Sequence, residues 1–428
     1  MPCGLIELQA ELQLKIIEEL SKDEVRGDDV GKQDDRFKIH HDLMNWSCTS
    51  AYYRDSLAPY IFKTVILRND EKSGCSLNAL ASSRHSECVE ELHFVGSAPG
   101  NAKEGRRHSQ TLVEFAYHFD DWDQWEDGLD LCAEVETEEQ VKAAEEEEAW
   151  RALMAKTYDA LLRNQGIHFK TLDINQLVLK KVYTFNSKLF HDFLSHFERF
   201  TLSIRGEDNG AGWKSNKSEE YHALISGLDE CFFDHLASVT TLIIKAPKEG
   251  PLGLEGMNHA RLALKKDQMP LLKAVHLEHV FICPELIDFL VGHSKTLERL
   301  SLNHCFGGVN GLAENGIHWK QLFDTVYNAN PEKLRQIEIL PIKLPLTDAE
   351  VWGAPETETE ISEEVRDRQI LETDSSRRVF AYTTLDDKYG MLFQDEEENL
   401  ASFLRGEDQA SYERLEHKIN QNAKKCNA

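Results

Sequence analysis

The chain has 428 residues, 41% of them hydrophobic, with 75 acidic against 48 basic side chains and a net charge of −27. That length and apolar share suffice for two or three domains with a buried core. A field of that sign repels phosphate backbones and anionic headgroups, and the basic pairs Lys180-Lys181 and Lys265-Lys266 are too short to overcome it, which excludes nucleic acid and membrane surfaces as partners.

The first periodic segment runs from Leu5 to Leu20. Leu8, Leu12, Ile16 and Leu20 recur every fourth residue, with Leu5 and Ile17 widening the stripe, so one apolar helical face is predicted. The charge-mixed stretch from Ser21 to about His41 carries Gly27 and Gly31 and reads as a loop. A second helix is predicted over Asp42–Arg54, with Asp42 as its cap. Pro59 should interrupt the helical pattern, and Val65 to Leu67 should enter a strand.

In this stretch Leu8, Glu11, Leu12, Ile16, Leu20, Asp42, Leu43, Ser47, Ser50, Arg54, Pro59 and Phe62 stand in the order of the F-box pattern, and the segment resembles an F-box. Gln9 replaces the usual Pro, and the loop between the first two helices is longer than usual. The resemblance implies a three-helix unit over residues 1–67 docking on the Skp-type adaptor of a cullin–RING (SCF) ubiquitin ligase. It places Leu8, Glu11, Leu12, Ile16, Leu20, Leu43 and Pro59 at that contact. The alternative is an F-box-like helical cap on a protein-interaction scaffold that delivers nothing for degradation.

Beyond residue 67 one pattern returns: apolar-x-x-apolar-x-apolar, suited to a short strand with one buried face. Its copies are Val89, Leu92, Phe94; Phe169, Leu172, Ile174; Phe197, Phe200, Leu202; Val239, Leu242, Ile244; Leu272, Val275, Leu277; Leu297, Leu300, Leu302; and Leu334, Ile337, Ile339. Helical runs lie between several copies: one opens at Pro284, and another, His318 to Tyr327, carries Trp319, Leu322, Phe323 and Val326 on one face. Strand, turn and helix, restarted along the chain, make the unit of a solenoid. The later copies start 25 to 42 residues apart. The pattern therefore resembles the degenerate leucine-rich-repeat domains behind many fungal F-boxes. The expected fold is α/β: an F-box, an irregular leucine-rich-repeat-like solenoid over 68–345, and a small carboxyl-terminal cap.

An acidic insertion at about 100–168 interrupts the solenoid. Its stretch Phe119 to Gly128 lacks the spacing of a calcium loop, because Trp125 and Glu126 occupy the places of a ligand and a Gly. From Glu134 to Gln165 a stripe at Trp150, Met154, Thr157 and Leu161 predicts a solvated helix over the solenoid. Residues 346–376, with Glu356-Thr357-Glu358-Thr359-Glu360, read as an acidic linker. Residues 377–428 should form a hairpin around Gly390 and a helix broken near Gly406, covering the last repeat and fraying through Lys424 to Cys426.

Side chains alternate along strands, so a solenoid turns the residues between and after the apolar positions outward. Asp173, Asn175, Thr201, Ser203, Lys245, His276, Glu278, Ser301, Asn303 and Glu338 are the expected target-binding row. Nucleotide loops, zinc-protease helices and nucleophile elbows are absent from the sequence. Gly307 to Gly311 reads as a repeat turn, and His276 and His279 should face opposite ways, away from a common metal with Cys283. The expectation is a non-enzymatic protein without catalytic residues, metal or cofactor, whose partners are the Skp-type adaptor, a cullin and a protein target. Nine scattered cysteines without a Cys-x-x-Cys pair, and no apolar start resembling a signal segment, point to the cytoplasm or nucleus; the sequons at Asn45 and Asn216 then carry no meaning.

Overall fold

The computed structural model describes residues 41–68, 71–89, 91–95, 135–163, 170–177, 180–206, 212–253, 260–308, 317–340 and 378–426. The expected first helix with Leu8, Glu11, Leu12, Ile16 and Leu20, the calcium-like stretch and the acidic linker lie outside these residues. The chain divides into two units, residues 1–118 with 163–175 and residues 119–162 with 176–428.

The first unit holds α1 (His41–Ser47), α2 (Ala51–Ile61), β1 (Thr64–Arg68), α3 (Glu71–Ala81) and β2 (Glu91–Val95). The single helix expected over 42–54 is two helices. Ser50 is extended, and its hydroxyl accepts the Tyr53 N–H at 3.2 Å, so the chain restarts a helix there. Asp42 lies inside α1 rather than capping it. Leu43, Tyr53 and Leu57 form the core of the pair, with Trp46, Tyr60 and Ile61 packed against it. Pro59 sits within the last turn of α2 and does not end the helix. Its missing N–H leaves over only the carbonyl of Asp55, an exposed residue that water can reach. The expected strand follows as β1 and pairs parallel with β2, Val65 beside Leu92 and Leu67 beside Phe94.

The second unit opens with α4 (Glu138–Glu147) and α5 (Ala149–Arg163), two helices where one was expected. Thr137 and Gln140 cap α4 reciprocally. On α5 Arg151, Met154, Tyr158 and Leu162 are buried, and Met154 is the member of the predicted stripe whose side chain is described. Tyr158 meets Phe185 and Phe190 edge-on at 4.9 and 5.8 Å, and burial pushes its hydroxyl pKa well up. Arg151 is paired with Glu136 and donates to the Lys181 carbonyl at 3.0 Å. One face of the helix is therefore buried, while Lys156 and Asp159 on it are exposed.

The chain then builds β3 (Thr171–Leu177), α6 (Lys188–Leu194), β4 (Arg199–Ile204), α7 (Glu219–Ser226), α8 (Leu228–Cys231), β5 (Thr241–Lys245), β6 (Ala274–Glu278), α9 (Pro284–Gly292), β7 (Arg299–Asn303), β8 (Gly307–Gly308), α10 (Trp319–Asn328) and β9 (Gln336–Leu340). An open, mostly parallel six-stranded sheet has the order β3-β4-β5-β6-β7-β9. The register from β4 onward is regular: Phe200, Leu242, Val275, Leu300 and Ile337 stand side by side, as do Leu202, Ile244, Leu277, Leu302 and Ile339. The second of these rows is buried throughout, which is why the apolar triplets recur.

A second, ragged ladder follows the ends of the strands. Leu252 bridges Val280, Phe281 bridges Phe306, and β8 pairs parallel with β10 (Tyr382–Leu385). The expected hairpin closes it: β11 (Leu392–Gln394) runs antiparallel to β10. Gly307 therefore belongs to a strand, not a turn. A Cβ there would stand 2.4 Å from the Tyr382 ring, so only Gly allows the approach. The helix broken at Gly406 is α11 (Glu396–Arg405) followed by α12 (Glu407–Cys426), with Gly406 left-handed at φ 66°. The helix runs on through Cys426, and within it Asn422 is buried and donates to the carbonyls of Pro331 and Leu334 at 2.6 and 3.1 Å.

Candidate functional site

The two faces of the sheet differ because alternate residues differ. Leu242, Ile244, Leu277 and Leu302 are fully buried on one side. On the other, Thr241, Ile243, Lys245, His276, Glu278, Ser301 and Asn303 are half-buried, and Arg299, Gln336 and Glu338 are exposed. A depression of about 380 Å³ lies on this open face, lined among others by Thr241, Ile243, His276, Arg299, Gln336 and Glu338.

Most of the predicted target row falls here. Register places Lys245, Glu278 and Asn303 in one row across neighbouring strands, and His276, Ser301 and Glu338 in another. Thr201 and Ser203 share the parity but are only 7% exposed, and the Gln176 amide reaches Ser203 at 3.5 Å. The β4 end of the row is thus closed at those two positions. Asp173 and Asn175 alternate with the buried Leu172 and Ile174 on β3.

His276 is the centre of the open part. The Asn303 amide faces its Nε2 at 3.4 Å, and Asn303 Oδ1 accepts the Ser301 hydroxyl at 3.1 Å. Burial lowers the His276 pKa first, Lys245 and Arg199 push the same way, and Glu278 and Glu338 oppose them. The imidazole is therefore neutral at physiological pH and can accept one hydrogen bond and donate another. The face offers hydrogen bonds and charges of both signs without a nucleophile held by a base.

His279 takes a different role from its near neighbour. It follows β6 in a left-handed conformation, φ 53°, and its Nδ1 donates to the Ala246 carbonyl at 2.8 Å. His304 follows β7 in the same conformation, φ 49°, and the two rings stack at 5.4 Å. The sequence pattern contained these turns only as single histidines after a strand. It also held residues of the open face that alternation makes readable: Arg199, Thr241, Arg299 and Gln336, each directly before an inward apolar residue.

In the helical pair, Leu43 is wholly buried and Pro59 is exposed. Met44 and Tyr52 stand 42% and 59% exposed on the same two helices, at positions the F-box pattern does not include. Among the described residues no three His, Cys, Asp or Glu side chains converge on a metal position, and no helix is long and apolar enough to cross a membrane. No family model, curated protein or solved structure matches the chain.

Proposed function

We propose that the chain is a substrate-recognition adaptor of an SCF-type ubiquitin ligase, holding a Skp-type adaptor by amino-terminal F-box helices and a target on the open sheet face. The observation that carries this reading is the asymmetry of the sheet: a fully apolar buried face against an uncovered polar one with charges of both signs. A domain that presents a wide rigid surface and no catalytic constellation is suited to holding another protein. The ordered F-box residues, the strand β1 directly after Phe62, and exposed Met44 and Tyr52 support the other half. Each large apolar side chain covered by a partner contributes roughly 1.5–3 kcal/mol before association costs. A second reading, a scaffold whose helices are only its own cap, is favoured by the burial of Leu43 in the α1–α2 core.

Co-expression of the full chain with a Skp-type adaptor and a cullin separates the two. Co-elution, lost on Leu12→Glu or Ile16→Glu while circular dichroism and thermal melting stay unchanged, supports the ligase role. Absence of any complex supports the scaffold, and capture indifferent to both substitutions moves the contact away from the first helix.

A further inference from the structure

The first row of the open face carries two cations and no acid. It runs Arg199, Thr241, Ala274, Arg299, Gln336 across five neighbouring parallel strands. Both arginines are exposed, and neither guanidinium has a salt bridge or hydrogen bond to any described residue. Arg151, Arg261, Arg405 and Arg414 of the same unit each meet a carboxylate. In a chain of net charge −27, two exposed guanidinium groups of one row without a carboxylate beside them leave positive charge for an occupant to meet. The surroundings do not cancel them. Glu278 stands beside Lys245 at the far end of the strands, and the residues just before the row balance, Glu198 and Glu298 against Lys273 and Arg335. Glu338 stands one row up, beside Ser301.

Taking the open face as the target surface, as in the proposed function, we infer that this row binds an extended acidic segment of the target, laid across the strands, with two carboxylates four residues apart. Spacing decides the register. Arg199 and Arg299 are three strand intervals apart, about 14 Å at about 4.8 Å each. An extended chain rises about 3.3 Å per residue and returns to the same face at even steps, so residues i and i+4 span about 13 Å, whereas i and i+2 span only about 7 Å. Between the arginines the floor is Thr241 and Ala274, small enough for a peptide backbone to lie close, with Ile243 in the next row of the same depression. The residue at i+2 points into that apolar floor, so an aliphatic side chain fits between the two acids. Thr241 and Gln336 supply hydrogen bonds to the backbone. Guanidinium groups meet carboxylates through two parallel bonds, so position as well as charge is read.

The test is fluorescence anisotropy of the full chain with labelled Ser-Glu-Ser-Val-Ser-Glu-Ser. Comparison peptides have the two Glu only two residues apart, or replaced by Gln. The expected result is saturable, salt-sensitive binding, weakened about tenfold or more by Arg199→Gln, by Arg299→Gln and by the shorter spacing, and unchanged by Lys273→Gln just outside the row. Equal affinity for both spacings, indifference to the arginines, or no binding would overturn the inference. So would a concentration-dependent dimer lost in both arginine variants, which would give the row to a second copy. Capture of the Skp-type adaptor is read separately, so a failed peptide with intact capture rejects the row and leaves the ligase reading standing.

Discussion

His279 shows how one buried imidazole sets an acid limit on the fold. It is 8% exposed, its Nδ1 is bonded to the Ala246 carbonyl, and its Nε2 has no partner among the described residues. Burial lowers its pKa, so the folded chain refuses a proton that the unfolded chain accepts. Above about pH 6.5 the group is neutral in both states and imposes no pH dependence; below that value stability declines with acid until the folded group also protonates. His279→Asn keeps a residue tolerant of the left-handed backbone but removes the titration and the stacking on His304. We expect it to cost about 1–3 kcal/mol at neutral pH and to flatten the fall of melting temperature between neutral and acidic buffer. His191 and His276 shift in the same direction, so the slope flattens without vanishing. Parallel melting curves for the two proteins across that range would remove His279 from the account. Gly390 sets a different limit. It is left-handed at φ 72°, and a Cβ would fall 1.9 Å from the Asn216 side chain, whose amide donates to its carbonyl at 2.9 Å. Gly390→Ala should destabilise the fold by about 2 kcal/mol or more, read from a urea midpoint, because the strain and the clash act together.

The carboxyl-terminal element is held by one buried carboxylate. Asp408 accepts the Lys320 backbone N–H at 2.8 Å, the Tyr382 hydroxyl at 2.7 Å and the Ser402 hydroxyl, and so ties the start of α10 to β10, α11 and α12. The Tyr382 hydroxyl accepts the Trp319 backbone N–H at 3.2 Å in turn, and burial followed by the Asp408 charge raises its pKa well above the ordinary range. Asp408→Ala would leave these donors unpaired in the interior. The expected cost is about 3–5 kcal/mol in urea unfolding, with Asp408→Asn intermediate; a loss below about 1 kcal/mol would mean that the contacts around it can re-form without the carboxylate. This network was not legible in the sequence, since Asp408, Tyr382 and Lys320 are far apart along the chain and share no periodicity. The strands were legible because a parallel sheet covered on one side repeats its inward triplets, and the hairpin at Gly390 announced itself through turn residues between two apolar runs. Boundaries inside helices were less so. Ser50 splits one apolar stretch into α1 and α2 through a cap that looks like any other Ser, and Pro59 sits in a last turn where its missing bond costs little. On α5 the buried face includes Arg151, paired with Glu136, and a stripe built on hydrophobic residues could not include it.

At the scale of the whole molecule, the open face carries no stabilising duty that its charges must meet, and this makes its function separable from its fold. Arg299 and Glu338 are exposed, belong to strands whose inward residues are already buried, and make no ion pair with any described residue. Reversing both charges together, Arg299→Glu with Glu338→Arg, keeps the net charge and the strand hydrogen bonds. Surface changes of this kind usually shift stability by no more than about 0.5 kcal/mol, so the double variant should melt within about 2 °C of the parent. Its target capture should nonetheless fail, because like charges now face each other across the contact. The Skp-type adaptor should still co-elute, since the contact proposed for it lies in the amino-terminal stretch rather than on β7 and β9. A double variant that melts normally and still retains the same bound proteins as the parent would show that the face is wet surface and that the target is held elsewhere. A variant that loses both target and adaptor with an unchanged melt would tie the two contacts together and reject the division of labour on which the ligase reading is built.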